Sequence, residues 1–318
     1  MPVDFAQWVA ESRARLGESG RRGALKTLYY GYVGALLHAA NCVPLGRNVL
    51  DAEWDLLIVL DACRVDALRA VSDEYDFLGP VGSVRSVGST SFEWLALTFD
   101  RSRRQTVRRT AYVTGNPYPE LVFDRKQVPP YETAVPFGPR DYDVVDSEDF
   151  LYLDEVAEYG VDPDQGAVPA RTITDRTIAA GRTHDPDRLI AHYMQPHTPY
   201  LGAPPGSRPA FADLMSGDVS RSAMWDAYLA TLRYVLDDVE LLLENVDAET
   251  VVITADHGEA FGEWGFYGHT IGCPHPVVRR VPWVETTATD DRTYEPTVVS
   301  EVDDTFDRDQ HLQDLGYL

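Results

Sequence analysis

Asp256 and His257 directly follow the β-branched run Val251, Val252, Ile253. A carboxylate beside an imidazole offers hard oxygen and borderline nitrogen, a pair suited to Zn²⁺ or Mn²⁺. Gly258 lets the chain leave without a side chain crowding an ion, and Gly262, Gly265 and Gly268 lead on to a second imidazole, His269. Other segments carry matching chemistry. Asp61 closes the apolar run WDLLIVL, with Arg64 just beyond it. Ser89, Thr90 and Ser91 precede an apolar segment, and Thr90 with Glu93 has the spacing of a capping box, which sets a hydroxyl at a helix N-terminus. The dipole there, together with a cation, stabilises an alkoxide and favours attack on a phosphoryl or sulfuryl group. His197 stands between Pro196 and Pro199, in a loop that the prolines stiffen. Each feature alone has a bland explanation, as a helix cap, a surface histidine or an arginine paired with Asp66. Their recurrence at strand ends is what points to a site.

The elements that must position these residues read as strands alternating with helices. Apolar runs at 54–60, 189–193 and 251–253, with shorter ones at 81–84 and 111–114, fit strands covered on both faces. Helical patterns fill 65–71 and 222–243, the latter with Tyr228, Leu232, Val235, Val239 and Leu242 on one face. The expectation is an α/β fold, doubly wound, with a mainly parallel sheet and helices on both faces. Ligands of such sheets sit outside the carboxyl ends of the strands. Residues 1–48 form an N-terminal helical extension of two helices, and 49–318 the main domain. Residues 128–166, rich in Pro, Asp and Tyr, read as an irregular insertion or lid. Arg279 to Val284 reads as an edge strand, and a short helix is expected near Asp309 to Leu315. His192, inside a strand, reads as a core histidine. The basic burst Arg101 to Arg109 reads as a solvated helix end rather than a clamp for an anion.

Composition narrows the function classes. The chain has 318 residues, 44% of them hydrophobic, enough for a substantial core. Its net charge of −23 excludes a non-specific nucleic-acid binder, which needs a basic face. Only Lys26 and Lys126 are lysines, and an acidic surface with so few of them points to adaptation to salt. Cys42, Cys63 and Cys273 show no metal-binding spacing and no paired framework, and the first residues lack the layout of a secretory signal. The expected location is therefore cytoplasmic. The segment Leu28 to Leu45 is too short and too polar to span a bilayer comfortably, so it reads as a packed helix, with contact at a membrane surface as the other role.

Taken together, the segments VLDACRVD, PHTPY and TADHGE resemble the alkaline phosphatase superfamily, in particular its sulfatase-like and phosphoethanolamine-transferase-like branch, over about Trp54 to Val284. The resemblance implies Asp61, Thr90, Asp256 and His257 as ligands of one divalent ion, Zn or Mn ahead of Ca or Mg. It implies Thr90 as nucleophile, with Ser91 and then Ser89 as the alternatives, and His197, His269 and Arg64 as groups holding substrate oxygens. His197 or His269 would also protonate the leaving group. The C/S-x-P-x-R sequence that sulfatases convert to formylglycine is replaced here by Ser89-Thr90-Ser91-Phe92-Glu93. That departure favours an unmodified hydroxyl, hence a metal-dependent hydrolase or transferase of phosphate esters ahead of sulfate esters. The substrate would be anionic and glycan- or lipid-linked. The rival reading is a catalytically silent binding protein on the same fold.

Overall fold

The computed structural model describes residues 3–43, 45–126, 134–138, 142–204 and 208–297. In chain order these hold α1 (Phe5–Cys42), β1 (Leu56–Leu60), α2 (Val65–Val71), β2 (Gly82–Arg85), α3 (Ser91–Thr98), α4 (Arg104–Val107), β3 (Thr110–Thr114) and α5 (Pro119–Phe123). There follow β4 (Tyr152–Glu155), α6 (Ala170–His184), β5 (Arg188–Tyr193), α7 (Phe211–Ser216), α8 (Arg221–Leu243), β6 (Ala248–Thr254), β7 (Ala260–Phe261), β8 (Tyr267–Gly268), α9 (Pro276–Arg279) and β9 (Arg280–Ala288). The helix expected near Asp309 to Leu315 lies outside the described residues.

A seven-stranded sheet runs in the order β2-β9-β6-β1-β5-β3-β4. β1 pairs in parallel with both β5 and β6, while β9 is antiparallel to β6 and to β2. All five residues of β1 are buried, because helices cover both faces. Leu56, Ile58 and Leu60 point into the core shared with α2, α6 and α8, whereas Leu57 and Val59 point into the core shared with α1, α3 and α5. Period-two alternation thus divides one strand between two cores, each such side chain contributing about 1.5–3 kcal/mol on burial. The doubly wound, mainly parallel sheet expected from the sequence is the one observed.

Two expectations change and one holds. β9 is interior rather than an edge, because β2 pairs along it from Gly82↔Trp283 to Arg85↔Arg280 and becomes the edge itself. The stretch read as an irregular insertion contains β4, which extends the main sheet in parallel beside β3. The N-terminal segment α1 is two helical stretches that meet at a kink at Gly20, as the sequence leads one to expect; the φ of 49° there is one that only glycine adopts readily.

Candidate functional site

The carboxyl ends of β1 and β6, neighbours at the middle of the sheet, deliver the first group. Asp61 follows β1 immediately and Asp256 lies just beyond β6. Ala62 takes a left-handed φ of 61°, turning its N–H onto Asp256 Oδ1 at 3.1 Å. Tyr228 of α8 staples the same turn, donating to the Ala62 carbonyl at 2.7 Å and accepting from Arg64 N at 2.9 Å. Gly258 leaves the site under the Val277 carbonyl, which a Cβ would meet at 2.1 Å, so the residue after His257 must be glycine for close approach rather than for its φ.

Asp61, Asp256 and His257 are fully buried and bring their ligating atoms within 4.8 Å of one another. Asp256 Oδ1 accepts from the backbone N–H groups of Ala62 and His257, while its Oδ2 has no hydrogen-bond partner. That oxygen lies 3.4 Å from His257 Nε2, which is itself 3.6 Å from Asp61 Oδ1. His257 Nδ1 lies 3.0 Å from the Gly258 carbonyl, which fixes the tautomer with Nε2 as the lone-pair nitrogen. A buried carboxylate oxygen lacking a donor, next to an imidazole lone pair, fits a divalent cation.

The hydroxyl brought to this group is that of Ser91, the first residue of α3. Its Oγ lies 3.2 Å from Asp61 Oδ2 and 3.3 Å from His257 Nε2. Thr90 instead caps α3, accepting from Glu93 N at 3.2 Å. Only half of the expected capping box forms, since Glu93 Oε2 accepts from the Ser89 N–H at 2.8 Å and from its hydroxyl. The Thr90 hydroxyl is engaged by the N3 amide while that of Ser91 meets Asp61 and His257, so Ser91 moves ahead of Thr90 as the candidate nucleophile and metal neighbour.

A second group adjoins the first. His197, Glu259 and His269 also gather their ligating atoms within 4.8 Å, and the rings of His257 and His269 lie 4.2 Å apart between centroids. His269 Nδ1 lies 3.1 Å from Glu259 Oε1, and His197 Nδ1 2.6 Å from the Thr198 carbonyl. A cavity of about 320 Å³ opens beside them, with Phe211, Met215 and Tyr267 on its apolar side and His197, Glu259 and His269 on its polar side.

Arg64 is not brought to this cavity. Its guanidinium is held by Asp66, Glu263 and the Glu259 carbonyl and lies over the Trp225 ring, so the role of substrate ligand is withdrawn for it. The basic burst is likewise occupied, with Arg101 on Asp143, Arg103 on Asp51 and Arg104 on Asp149. Two residues escaped the sequence reading, and a third reaches further than expected. Asn116, just past the end of β3, donates to Asp61 Oδ2 at 3.0 Å. Glu259 ties down His269 and was visible only as part of the TADHGE run. His192 is a core histidine as expected, with Nδ1 2.8 Å from the Tyr112 hydroxyl, yet its Nε2 reaches within 3.8 Å of Asp256 Oδ2.

The electrostatics favour neutral imidazoles, the form that binds metals. Burial lowers His192 and His269 to about 4, and burial with the neighbouring His269 lowers His197 to about 3. Burial raises Glu259 to about 7, against the pull of His197 and His257. For Asp256 burial pushes upward, but His257 and His192 prevail and hold it below the usual carboxylate range. The unfolded chain protonates its histidines near 6.5, whereas the folded chain resists until about 4. Metal-free protein should therefore lose stability progressively as the pH falls from 6.5 toward 4, the three lowered histidines outweighing Glu259, whose raised carboxyl acts in the opposite sense below about 7. Thermal midpoints of chelator-treated protein test this, and a flat profile over that window would contradict it.

No family model and no curated protein sequence matches the chain. Solved structures do. The soluble domain of lipooligosaccharide phosphoethanolamine transferase A from Neisseria meningitidis matches at a TM-score of 0.45 with 15% identity, over 74% of this chain and 77% of that one. The C-terminal periplasmic domain of EcEptC from Escherichia coli, in complex with Zn, matches at 0.43 with 11% identity, over 81% and 80%. A putative sulfatase from Bacteroides thetaiotaomicron matches at 0.42 with 15% identity, over 73% and 64%. These are the branches that the sequence resemblance names. At such TM-scores the chemistry rests on this chain's own geometry.

One expectation is overturned. The cytoplasmic location does not stand, because the E. coli match is described as a periplasmic domain. Its basis was weak in physical terms, since buried, unbridged cysteines such as Cys63 and Cys273 behave as small apolar residues and carry no address. No helix among the described residues is long and apolar enough to cross a membrane.

Proposed function

We propose that the chain is a metal-dependent phosphoester transferase or hydrolase with Ser91 as its nucleophile. The observation that carries this reading is the position of Ser91 Oγ at the start of α3, between Asp61 Oδ2 and His257 Nε2. Asp61, Asp256 and His257 would hold one divalent ion, Zn or Mn by donor chemistry. Bound there, the ion would lower the pKa of the serine hydroxyl and offset charge on the phosphoryl oxygens.

The chain's own residues account for the rest. Ser91 attacks phosphorus, its proton held by Asp61 Oδ2, while the α3 N-terminus stabilises the developing charge. Asn116 keeps Asp61 in that orientation. Glu259, whose carboxyl burial raises to about 7, carries the proton of the Glu259–His269 pair: it donates to His269 Nδ1 as His269 Nε2–H passes a proton to the leaving oxygen. His197, its Nδ1–H held by the Thr198 carbonyl, would donate from Nε2 to a non-bridging oxygen once the anionic substrate has drawn a proton onto that nitrogen. Water or an acceptor hydroxyl then displaces the phosphoryl group from Ser91. The apolar side of the cavity suits an ester whose far end is carried on a lipid or glycan.

Turnover of an aryl phosphodiester, measured with elemental analysis of dialysed protein, tests the reading. One equivalent of Zn or Mn and chelator-sensitive turnover are expected. Two equivalents would place a second ion on His197, Glu259 and His269 and give those residues a ligand role instead. Absence of both metal and turnover would leave the silent binding protein. The salt adaptation read from the charge of −23 is a separate proposal. Thermal midpoints should rise with added salt as the Debye length shrinks below about 10 Å, and midpoints indifferent to salt would refute it.

A further inference from the structure

We infer that α1 is a positioning element of the active site, acting through Tyr29 and Tyr32 on the turn behind His269. The inference rests on the proton-donor role proposed above for His269. That residue directly follows a weak piece of sheet, since β7 and β8 hold two residues each and form a sheet of their own. So short a ribbon is marginal by itself. The chain continues into a turn, closed by the Cys273 N–H on the Thr270 carbonyl at 2.9 Å. Gly272 in this turn has a φ of 73° and sits against α1, where a Cβ would meet Leu36 Cδ2 at 3.0 Å.

Hydroxyls on α1 supply what the ribbon lacks. Tyr29 donates to the Ile271 carbonyl at 2.9 Å, and Tyr32 donates to the Gly272 carbonyl at 3.1 Å. With its single proton on Ile271, the Tyr29 oxygen accepts from the Thr270 hydroxyl, 3.1 Å away. Burial raises Tyr29 to about 12, so it keeps the proton it donates. Glu93 of α3 holds the same turn, its Oε2 accepting from the Gly272 N–H at 3.4 Å and from the Ser89 N–H at 2.8 Å. The turn after His269 is therefore braced against both α1 and the segment that carries Ser91. Thr270, bonded to His269, also lines the cavity. Glu259 orients the imidazole through Nδ1, whereas the brace sets where its backbone stands. Misplacing a proton donor by about 1 Å costs on the order of 100-fold in rate.

The test assays Zn-loaded protein on two phosphodiesters, one losing p-nitrophenolate and one losing phenolate. Nitrophenolate departs without a proton, whereas phenolate, a stronger base, gains from one. The ratio kcat/KM covers the step in which that group leaves. Tyr29→Phe/Tyr32→Phe should lower kcat/KM for the phenyl ester on the order of 10–100-fold, and for the nitrophenyl ester several-fold less. His269→Gln should show the same contrast, more steeply. Zn affinity and the circular dichroism spectrum of the tyrosine variant should stay as in wild type. If the double variant fails to fold, Tyr29→Phe alone should show the contrast. The inference is overturned if the tyrosine variants match wild type on both esters while His269→Gln shows the contrast. Equal losses on both esters would overturn it too, because they mean that α1 only packs. A His269→Gln variant without the contrast would refute the proton-donor role itself, and this inference with it.

Discussion

Ser91→Ala should remove turnover, with a loss on the order of 10⁴–10⁶ in kcat, while Thr90→Ala leaves it nearly intact. The two hydroxyls are adjacent in sequence but have different surroundings. Ser91 Oγ has Asp61 Oδ2 at 3.2 Å and His257 Nε2 at 3.3 Å, so its loss deletes the attacking group. Thr90 Oγ1 satisfies the Glu93 amide, so its loss costs about 1 kcal/mol of stability and no chemistry. Because Ser91 is buried and small, alanine replaces it without a large cavity, and the fold should survive. Steady-state rates and thermal midpoints on the two variants separate the roles. If Thr90→Ala were the inactive one, α3 would have to be placed differently from what is described here.

Asp256→Asn should cost at least about 100-fold in metal affinity, more than the loss typical of a mere supporting residue. The asparagine oxygen can still accept from Ala62 N and His257 N, so the turn after β6 keeps its backbone bonds. What changes is the other atom. An amide nitrogen would replace the unpartnered Oδ2 that lies 3.4 Å from His257 Nε2, removing both the charge and the lone pair that face a cation. Saturating wild type with Zn or Mn at 100 times the dissociation constant should stabilise it by about 2.7 kcal/mol. The variant should show no such shift in its thermal midpoint, although its metal-free midpoint stays close to that of wild type. A variant that still responds fully to metal would mean that Asp256 is not a ligand.

Where periodicity was strong, the sequence was readable. β1 and β5 are runs of apolar residues that only a strand covered on both faces explains, and the two-core packing of Leu56 to Leu60 follows from it. The dense TADHGE and PHTPY segments carried the residues that the structure gathers at the cavity. What stayed hidden depends on the direction of a side chain or on pairing across the sheet. Three consecutive hydroxyl residues are chemically alike in sequence, and only the start of α3 separates the cap from the buried N1 position. β4 reads Tyr-Leu-Asp-Glu, with no alternation of polar and apolar residues, inside a Pro- and Asp-rich stretch, so its pairing with β3 left no local trace. Arg64 looked available because its partners, Glu263 and the Glu259 carbonyl, come from nearly 200 positions away. Asn116 was hidden for the same reason, being linked to Asp61 only through the adjacency of strand ends.

The claim that everything else leans on is that Ser91 becomes covalently phosphorylated. Rapid acid quenching of the enzyme during turnover of an aryl phosphodiester, followed by mass spectrometry of the peptide spanning α3, tests it directly. The predicted result is a phosphoryl or phosphodiester adduct on Ser91 that is absent from Ser91→Ala and from chelator-treated protein. An adduct on Thr90 or Ser89, or full turnover by Ser91→Ala, would contradict the account.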